Sequence, residues 1–248
     1  MQIHLAGTKI LKGRPDLLKK IPYILETFYA VSDWQIPYFK SCKHFLLDSG
    51  AFTFKESFNK GKKLHNVDFN TYLDRYASFV KENGIDDFFE LDVDVVLGYK
   101  EVRKMREKLE SKVGRQCVPV WHLSRGKQDF IDMCKEYKYV SMGGLRFEIG
   151  VYRHKYLPWF IDKAHEYGCR IHGLGFTASG KFDEIRFDTV DSTTWLNSAK
   201  FANISYYHDG IIVQEHKYGY RLSEGGKEKL MEHNLNEWLK CVKHYEED

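Results

Sequence analysis

Short runs of β-branched and aromatic residues recur along the chain, separated by longer stretches whose apolar positions fall three and four apart. The runs occupy residues 3–5, 45–47, 88–96, 118–121, 139–142, 170–174, 187–190 and 211–214. Most have the length and composition of strands buried on both faces. Between them, Val67, Phe69, Tyr72, Tyr76, Phe79 and Val80 make one helical stripe that ends at Gly84, a residue suited to the left-handed conformation in which helices often terminate. Similar periodicity predicts helices over residues 99–112, 127–137 and 152–167, the last closing on Gly168. Strand and helix therefore alternate, and a parallel sheet with crossover helices is the simplest arrangement of that order. Eight runs in 248 residues predict an α/β fold, a (β/α)8 TIM-type barrel forming a single domain over residues 1–248. Two places fit less well. Residues 51–65 read as a long polar loop, and the segment between the sixth and seventh runs is too short for an ordinary helix. A doubly wound open sheet is the alternative, but no switch point is visible in the sequence.

Composition narrows the classes. With 43% hydrophobic and 15% aromatic residues and only 5 Pro, the chain is neither disordered nor collagen-like. The charge, 38 Lys and Arg against 35 Asp and Glu, is too near balance to argue for or against a polyanionic partner. Five scattered cysteines with no CxxC pair give neither a disulfide framework nor a closed zinc site, so no metal is expected. No run approaches the ~18 apolar residues of a membrane span, and the first residues lack the pattern of a secretory signal, so a cytoplasmic location is expected.

The candidate chemistry lies at the ends of the strands, where a barrel carries its active site. The second run ends in Asp48-Ser49-Gly50-Ala51-Phe52, the third in Glu90-Leu91-Asp92-Val93-Asp94 and the fourth in Trp121-His122. The fifth ends in Gly143-Gly144-Leu145, the sixth in Gly173-Leu174-Gly175 and the seventh in Asp188-Thr189-Val190-Asp191-Ser192. Asp48 reads either as an Asx-turn closing a strand or as a catalytic carboxylate. Glu90, Asp92 and Asp94 share one face by the period of two, as a solvated edge or as a ligand site. Asp191 reads as a helix N-cap or as the partner of Asp48, because double displacement at an anomeric carbon uses two carboxylates roughly 5 Å apart. Asp188 competes with it, but the two fall on opposite strand faces and only one can meet the cleft. His122 is a hydrogen-bonding group or a satisfied core residue. Gly143 and Gly144 leave backbone amides open to a planar or anionic ligand. Lys60-Gly61-Lys62-Lys63 is a solvated loop or a hold on a nucleic-acid backbone.

Together these motifs resemble the tRNA-guanine transglycosylase superfamily. Asp48 to Phe52 is similar to its DSGGF/DSGAF strand end, Gly143-Gly144-Leu145 to its GGL motif, and Val190-Asp191-Ser192 to its nucleophile motif. They stand in the family's order from about residue 45 to residue 195. The chain departs from the tRNA enzymes in lacking their CxCxxC zinc subdomain, with only Cys241 after Cys169, and in placing Trp121 or His122 where a base-reading glutamine is usual. Those losses resemble the compact branch of phages and bacterial DNA-modification clusters. The resemblance implies a DNA-guanine transglycosylase, a pentosyltransferase that exchanges guanine in DNA for a 7-deazaguanine such as 7-cyano-7-deazaguanine, without a cofactor. Asp191 would be the nucleophile and Asp48 the acid and base. Ser49, Asp92, His122 and the amides of Gly143, Gly144 and Leu145 would hold the base, with Phe52 stacked on its face. The implied partners are DNA and the free deazaguanine, in the host cytoplasm if the chain is phage-encoded. A tRNA substrate, a retaining glycoside hydrolase on the same barrel, and a non-catalytic nucleic-acid-binding partner subunit are the competing expectations.

Overall fold

The computed structural model describes residues 1–59, 67–145, 149–196, 201–216 and 226–247. Eight short strands build one sheet: β1 (Gln2–Ala6), β2 (Tyr23–Thr27), β3 (His44–Asp48), β4 (Asp87–Phe88), β5 (Val120–Trp121), β6 (Tyr139–Met142), β7 (Arg170–Gly173) and β8 (Thr189–Ser192). Their order is β4-β3-β2-β1-β8-β7-β6-β5, with every pairing parallel. Chain order is thus kept around the sheet. The two end strands approach each other, since Val118 N–H donates to Phe88 O at 2.8 Å and Glu90 N–H to Val118 O at 3.0 Å. The result is an all-parallel curled sheet interleaved with helices, TIM-barrel-like in form.

The helices that face the sheet are α1 (Pro15–Leu18), α2 (Ile36–Phe39), α3 (Ala51–Asn59), α4 (Phe69–Asn83), α5 (Asp94–Leu97), α6 (Tyr99–Val113), α7 (Gly126–Glu136), α8 (Leu157–Glu166) and α9 (Gly226–Glu247). Asp68 starts α4 by accepting the Asn70 and Thr71 N–H groups, and Gly84 ends it at φ +63°, as the spacing predicts. Between sheet and helices lie two apolar clusters, one around Trp121, Phe160, Trp195 and Trp238 and the other around Tyr76, Phe88 and Leu109. A smaller third cluster joins Ala6, Leu25, Leu46, Phe89, Val118, Val120 and Tyr139. Its members pair side by side in register, as at Ala6↔Leu25 and Leu25↔Leu46, while the alternate pair Leu5↔Ile24 belongs to the first cluster, so they form the opposite, concave face of the sheet. No helix among the described residues is long and apolar enough to cross a membrane.

Three expectations need correction. The strand β2 was not expected, whereas residues 211–214, counted as the eighth strand, fall in β10 (Ile211–His216), which pairs antiparallel with β9 (Asn203–His208) in a separate hairpin. Its two-residue turn is Asp209-Gly210, with both residues at positive φ, the mirror-image turn whose twist matches that of paired strands. Residues 88–96 are not one strand, because pairing stops near Phe89 and Asp94–Leu97 is helical. Residues 51–59, read as part of a polar loop, form α3.

Candidate functional site

Asp48 is the last residue of β3, and the chain turns immediately after it. Gly50 sits at φ +86°, where a Cβ would also come within 2.7 Å of the Tyr29 Cβ, so only glycine fits. The Gly50 N–H donates to Asp48 Oδ2 at 3.0 Å, which realises the Asx-turn. Tyr72 OH donates to Ser49 O at 2.6 Å, and Tyr76 OH donates to Leu47 O and Phe89 O, fixing the turn from α4. The carboxyl nevertheless keeps partial access to solvent. Burial, then the charge of Asp92 and more weakly that of Asp191, push its pKa up to about 7 against the Gly50 amide.

Asp191 enters the same space from β8. Its Oδ1 accepts the Gly175 N–H at 2.6 Å and lies 3.2 Å from His172 Nε2. His172 Nδ1 is 2.7 Å from Thr189 Oγ1, which meets Tyr139 OH at 2.5 Å. Asp188 is turned to the helical side, where it accepts the Ile171 N–H at 2.7 Å and meets His165 at 3.0 Å. The opposite faces expected of the two aspartates are therefore observed. Asp191 is not an N-cap, since Ser192 Oγ accepts the Thr194 N–H.

Asp92 and His122 meet directly, Oδ2 to Nε2 at 2.9 Å, and both are buried. A third group joins them. Lys55 Nζ lies 2.8 Å from Asp92 Oδ2 and 3.3 Å from His122 Nε2. Burial alone would raise the Asp92 carboxyl, but the Lys55 charge and the His122 hydrogen bond overcome it and hold the pKa at about 2. Sequence reasoning missed Lys55 because it lies on α3, in the stretch read as a loop. An amphipathic reading of residues 51–55 would have been the only signal.

The neighbouring carboxylates are structural. Arg125 forks onto Asp94 through Nε at 3.0 Å and an Nη at 2.8 Å, and its other Nη reaches Glu90 at 3.0 Å. Glu90 also accepts the Val120 N–H at 2.7 Å and faces Arg106 at 3.7 Å. It is fully buried, and burial raises its carboxyl in spite of both guanidiniums. The three acids are therefore neither a solvated edge nor one ligand cluster, because Arg125 ties Glu90 to Asp94 while Lys55 holds Asp92.

Gly143 has no room for a side chain, since a Cβ there would lie 2.7 Å from His122 Cε1 and 2.9 Å from Val120 Cγ1. Its amide is already spent on Trp121 O at 2.8 Å, which corrects the expectation that it meets a ligand. Gly144, at φ +69°, and Leu145, whose side chain is buried, carry the chain past the strand end. Ser49 is fully buried with no hydrogen-bond partner for its Oγ among the described residues. Phe52 stands on the first turn of α3 and is 59% exposed at the rim. The segment from Lys60 to Lys63 lies outside the described residues. Among the described residues no group of three or more His, Cys, Asp or Glu side chains is placed to hold a metal ion.

The arrangement gives three carboxyl groups different surroundings: Asp48 is raised to about 7 mainly by burial, Asp191 is held by an amide and an imidazole, and Asp92 is kept low by the Lys55 charge and the His122 hydrogen bond. Environments that push such groups apart are how one cleft supplies both an acid and a base. No protein-family model matches the chain, and no curated protein matches it significantly.

Proposed function

We propose that the protein exchanges guanine in DNA for a 7-deazaguanine base by double displacement. The observation that carries the reading is the pairing of a carboxyl raised to about 7, Asp48, with Asp191, a carboxylate oriented by the Gly175 amide. In this reading residues 1–248 are one (β/α)8 barrel of the transglycosylase type without its zinc subdomain. DNA is preferred over tRNA through the resemblance to the compact branch.

The target guanine first leaves the duplex stack, at a cost of a few kcal/mol. An Asp191 oxygen attacks C1′ as the bond to the base nitrogen breaks, and Asp48 gives its proton to the departing guanine. Asp48, now ionised, takes the ring N–H proton of the incoming deazaguanine. That nitrogen attacks C1′ and releases the Asp191 carboxylate, so two inversions give retention. Asp92, held ionised, accepts the N1–H and amino protons of the base once the Lys55 ammonium yields its place. His122 faces the base edge beside it, and Phe52 covers the ring face. The amides of Gly144 and Leu145 are the donors for the base carbonyl.

The test is incubation of the protein with 7-cyano-7-deazaguanine and, in parallel, single-stranded DNA, duplex DNA and tRNA, followed by nucleoside mass spectrometry. A deazaguanine deoxynucleoside, absent with Asp191→Ala, is expected. Modification of tRNA alone would move the substrate, and no product from any polymer would overturn base exchange.

A further inference from the structure

Residues 152–160, Tyr-Arg-His-Lys-Tyr-Leu-Pro-Trp-Phe, hold two lysine or arginine residues, four aromatic rings besides His154, and no carboxylate. The chain follows a 3₁₀ turn, Val151–Tyr156, into α8. His154, Leu157 and Phe160 are buried and anchor the segment, which turns Tyr152, Arg153, Lys155, Tyr156 and Trp159 outward. Tyr152 is 95% exposed, Tyr156 56% and Trp159 37%. Trp159 packs edge-on against Phe160 at 4.9 Å, but Tyr152 and Tyr156 are exposed, and grouped exposed aromatics commonly mark a contact surface. Cations flank the rings: Lys155 Nζ is 5.1 Å from the Tyr156 centroid and Lys127 Nζ 4.6 Å from that of Trp159. Lys163 also approaches Trp159, at 5.9 Å, but is neutralised by Glu166 at 2.5 Å.

The segment is tied to the strand-end site at its start and through His154. It follows Gly143 to Leu145, with the Gly150 N–H donating to Leu145 O at 3.1 Å. The His154 ring packs on Phe176 at 5.3 Å, and Phe176 follows Gly175, the residue whose amide holds Asp191. Lys127 opens α7, where the Gly126 carbonyl accepts the indole N–H of Trp121 at 2.9 Å. Trp121 precedes His122.

We infer that Tyr152, Arg153, Lys155, Tyr156, Trp159 and Lys127 form a binding strip for an unpaired DNA strand leading into the strand-end site. Exposed ring faces stack on bases, and ammonium and guanidinium groups meet the phosphates between them. A closed duplex keeps its base faces covered and gives these rings nothing to stack on, so the unpaired strand is the ligand the aromatics fit. The choice of DNA rests on the proposed function.

The test is fluorescence anisotropy of a labelled 12-nucleotide DNA, single-stranded and as duplex, with the same sequence as RNA and no deazaguanine present. The exposed positions let Tyr152→Ala with Tyr156→Ala, and Lys127→Gln with Lys155→Gln, be made without touching the core. The aromatic pair is expected to weaken single-strand binding about tenfold at an unchanged salt slope. The lysine pair should lower the slope of log K against log salt by about 1.4. Lys108→Gln with Lys112→Gln on α6, which pair with Asp74, should change neither. Unchanged binding in both strip variants, or no binding by the wild type, would overturn the strip. Tighter binding of the duplex would overturn the unpaired strand, and tighter binding of RNA would overturn the DNA assignment. Because the readout needs no chemistry, a protein that binds through the strip but exchanges no base would overturn the reaction alone.

Discussion

His172 stands between Asp191 and Thr189, with Nε2 3.2 Å from the carboxylate and Nδ1 2.7 Å from the hydroxyl. One proton arrangement satisfies the whole chain. Tyr139 O–H donates to Thr189 Oγ1, Thr189 O–H donates to His172 Nδ1, and the remaining ring proton on Nε2 points at Asp191. With a neutral ring, Thr189 therefore sets the tautomer of the imidazole beside the carboxylate, and in the proposed reaction His172 would be a positioning residue. Thr189→Val keeps the side-chain shape and removes that control. A hydrogen bond to a charged group is worth ~1.5–3 kcal/mol, so single-turnover formation of the Asp191 adduct should slow roughly ten- to hundredfold. Affinity for free guanine should stay the same. An unchanged adduct rate would show that the Gly175 amide orients Asp191 unaided.

Asp48 would give the proposed reaction a pH dependence with a definite sign. In the proposed mechanism the departing guanine takes its proton from this carboxyl, so the rate of adduct formation should fall as pH rises through about 7. The same shift appears in stability. Between the ordinary value of 3.8 and about 7 the folded protein binds the proton more tightly than the unfolded chain, so this group's contribution is fully present below pH 4 and is lost as pH rises through 7. Asp48→Asn removes the ionisation. Its thermal midpoint relative to wild type should therefore climb between pH 5 and pH 8, while exchange is lost at both. A constant difference across that range would show that Asp48 titrates in the folded protein as it does in the unfolded chain.

The sequence showed most of the sheet and the strand-end positions of Asp48 and Asp191 because these obey local rules. The strands β3, β6, β7 and β8 are apolar runs ending in carboxylate or glycine, and a period of two was enough to separate Asp191 from Asp188. What stayed hidden depends on long-range contacts. The strand β2 carries Glu26, a polar break in its pattern, whose burial is reconciled by long-range hydrogen bonds from Thr8 and Gln35 at 2.8 and 2.9 Å. The run at residues 88–96 reads as a strand because alternation cannot register that Arg125, about thirty positions later, folds back and claims Glu90 and Asp94. The hairpin was the avoidable miss, since Asp209-Gly210 between apolar runs is itself a turn signal.

Arg125 is the structural centre of the loop that presents Asp92. Its side chain is 1% exposed, forks onto Asp94, reaches Glu90, and lies 4.2 Å from the Tyr99 ring centroid. Removing one member of such a buried set leaves the carboxylates uncompensated, a loss of ~3–5 kcal/mol. Arg125→Ala should lower the urea midpoint accordingly. Arg125→Lys should recover less than half of it, because one ammonium cannot copy the fork onto Asp94 while bonding Glu90. Full recovery by lysine would mean that charge alone, and not the planar geometry, holds the loop.

Under the proposed function, Lys55 and a guanine would compete for the same oxygen. Its ammonium sits 2.8 Å from Asp92 Oδ2 in a largely enclosed place, where the base would present its N1–H and amino donors. Lys55→Met keeps the length of the side chain and deletes the charge, so free guanine should bind about tenfold more tightly, roughly 1.4 kcal/mol, by calorimetry. The variant should also be less stable. The low pKa of Asp92, about 2, contributes stability that is present above the unfolded value near 3.8 and is lost as pH falls through 2. Without Lys55 that contribution shrinks, so the deficit in thermal midpoint against wild type should be full at pH 7 and narrower at pH 3. Weaker guanine binding by Lys55→Met would give the opposite assignment, with the ammonium as part of the base site and not its competitor.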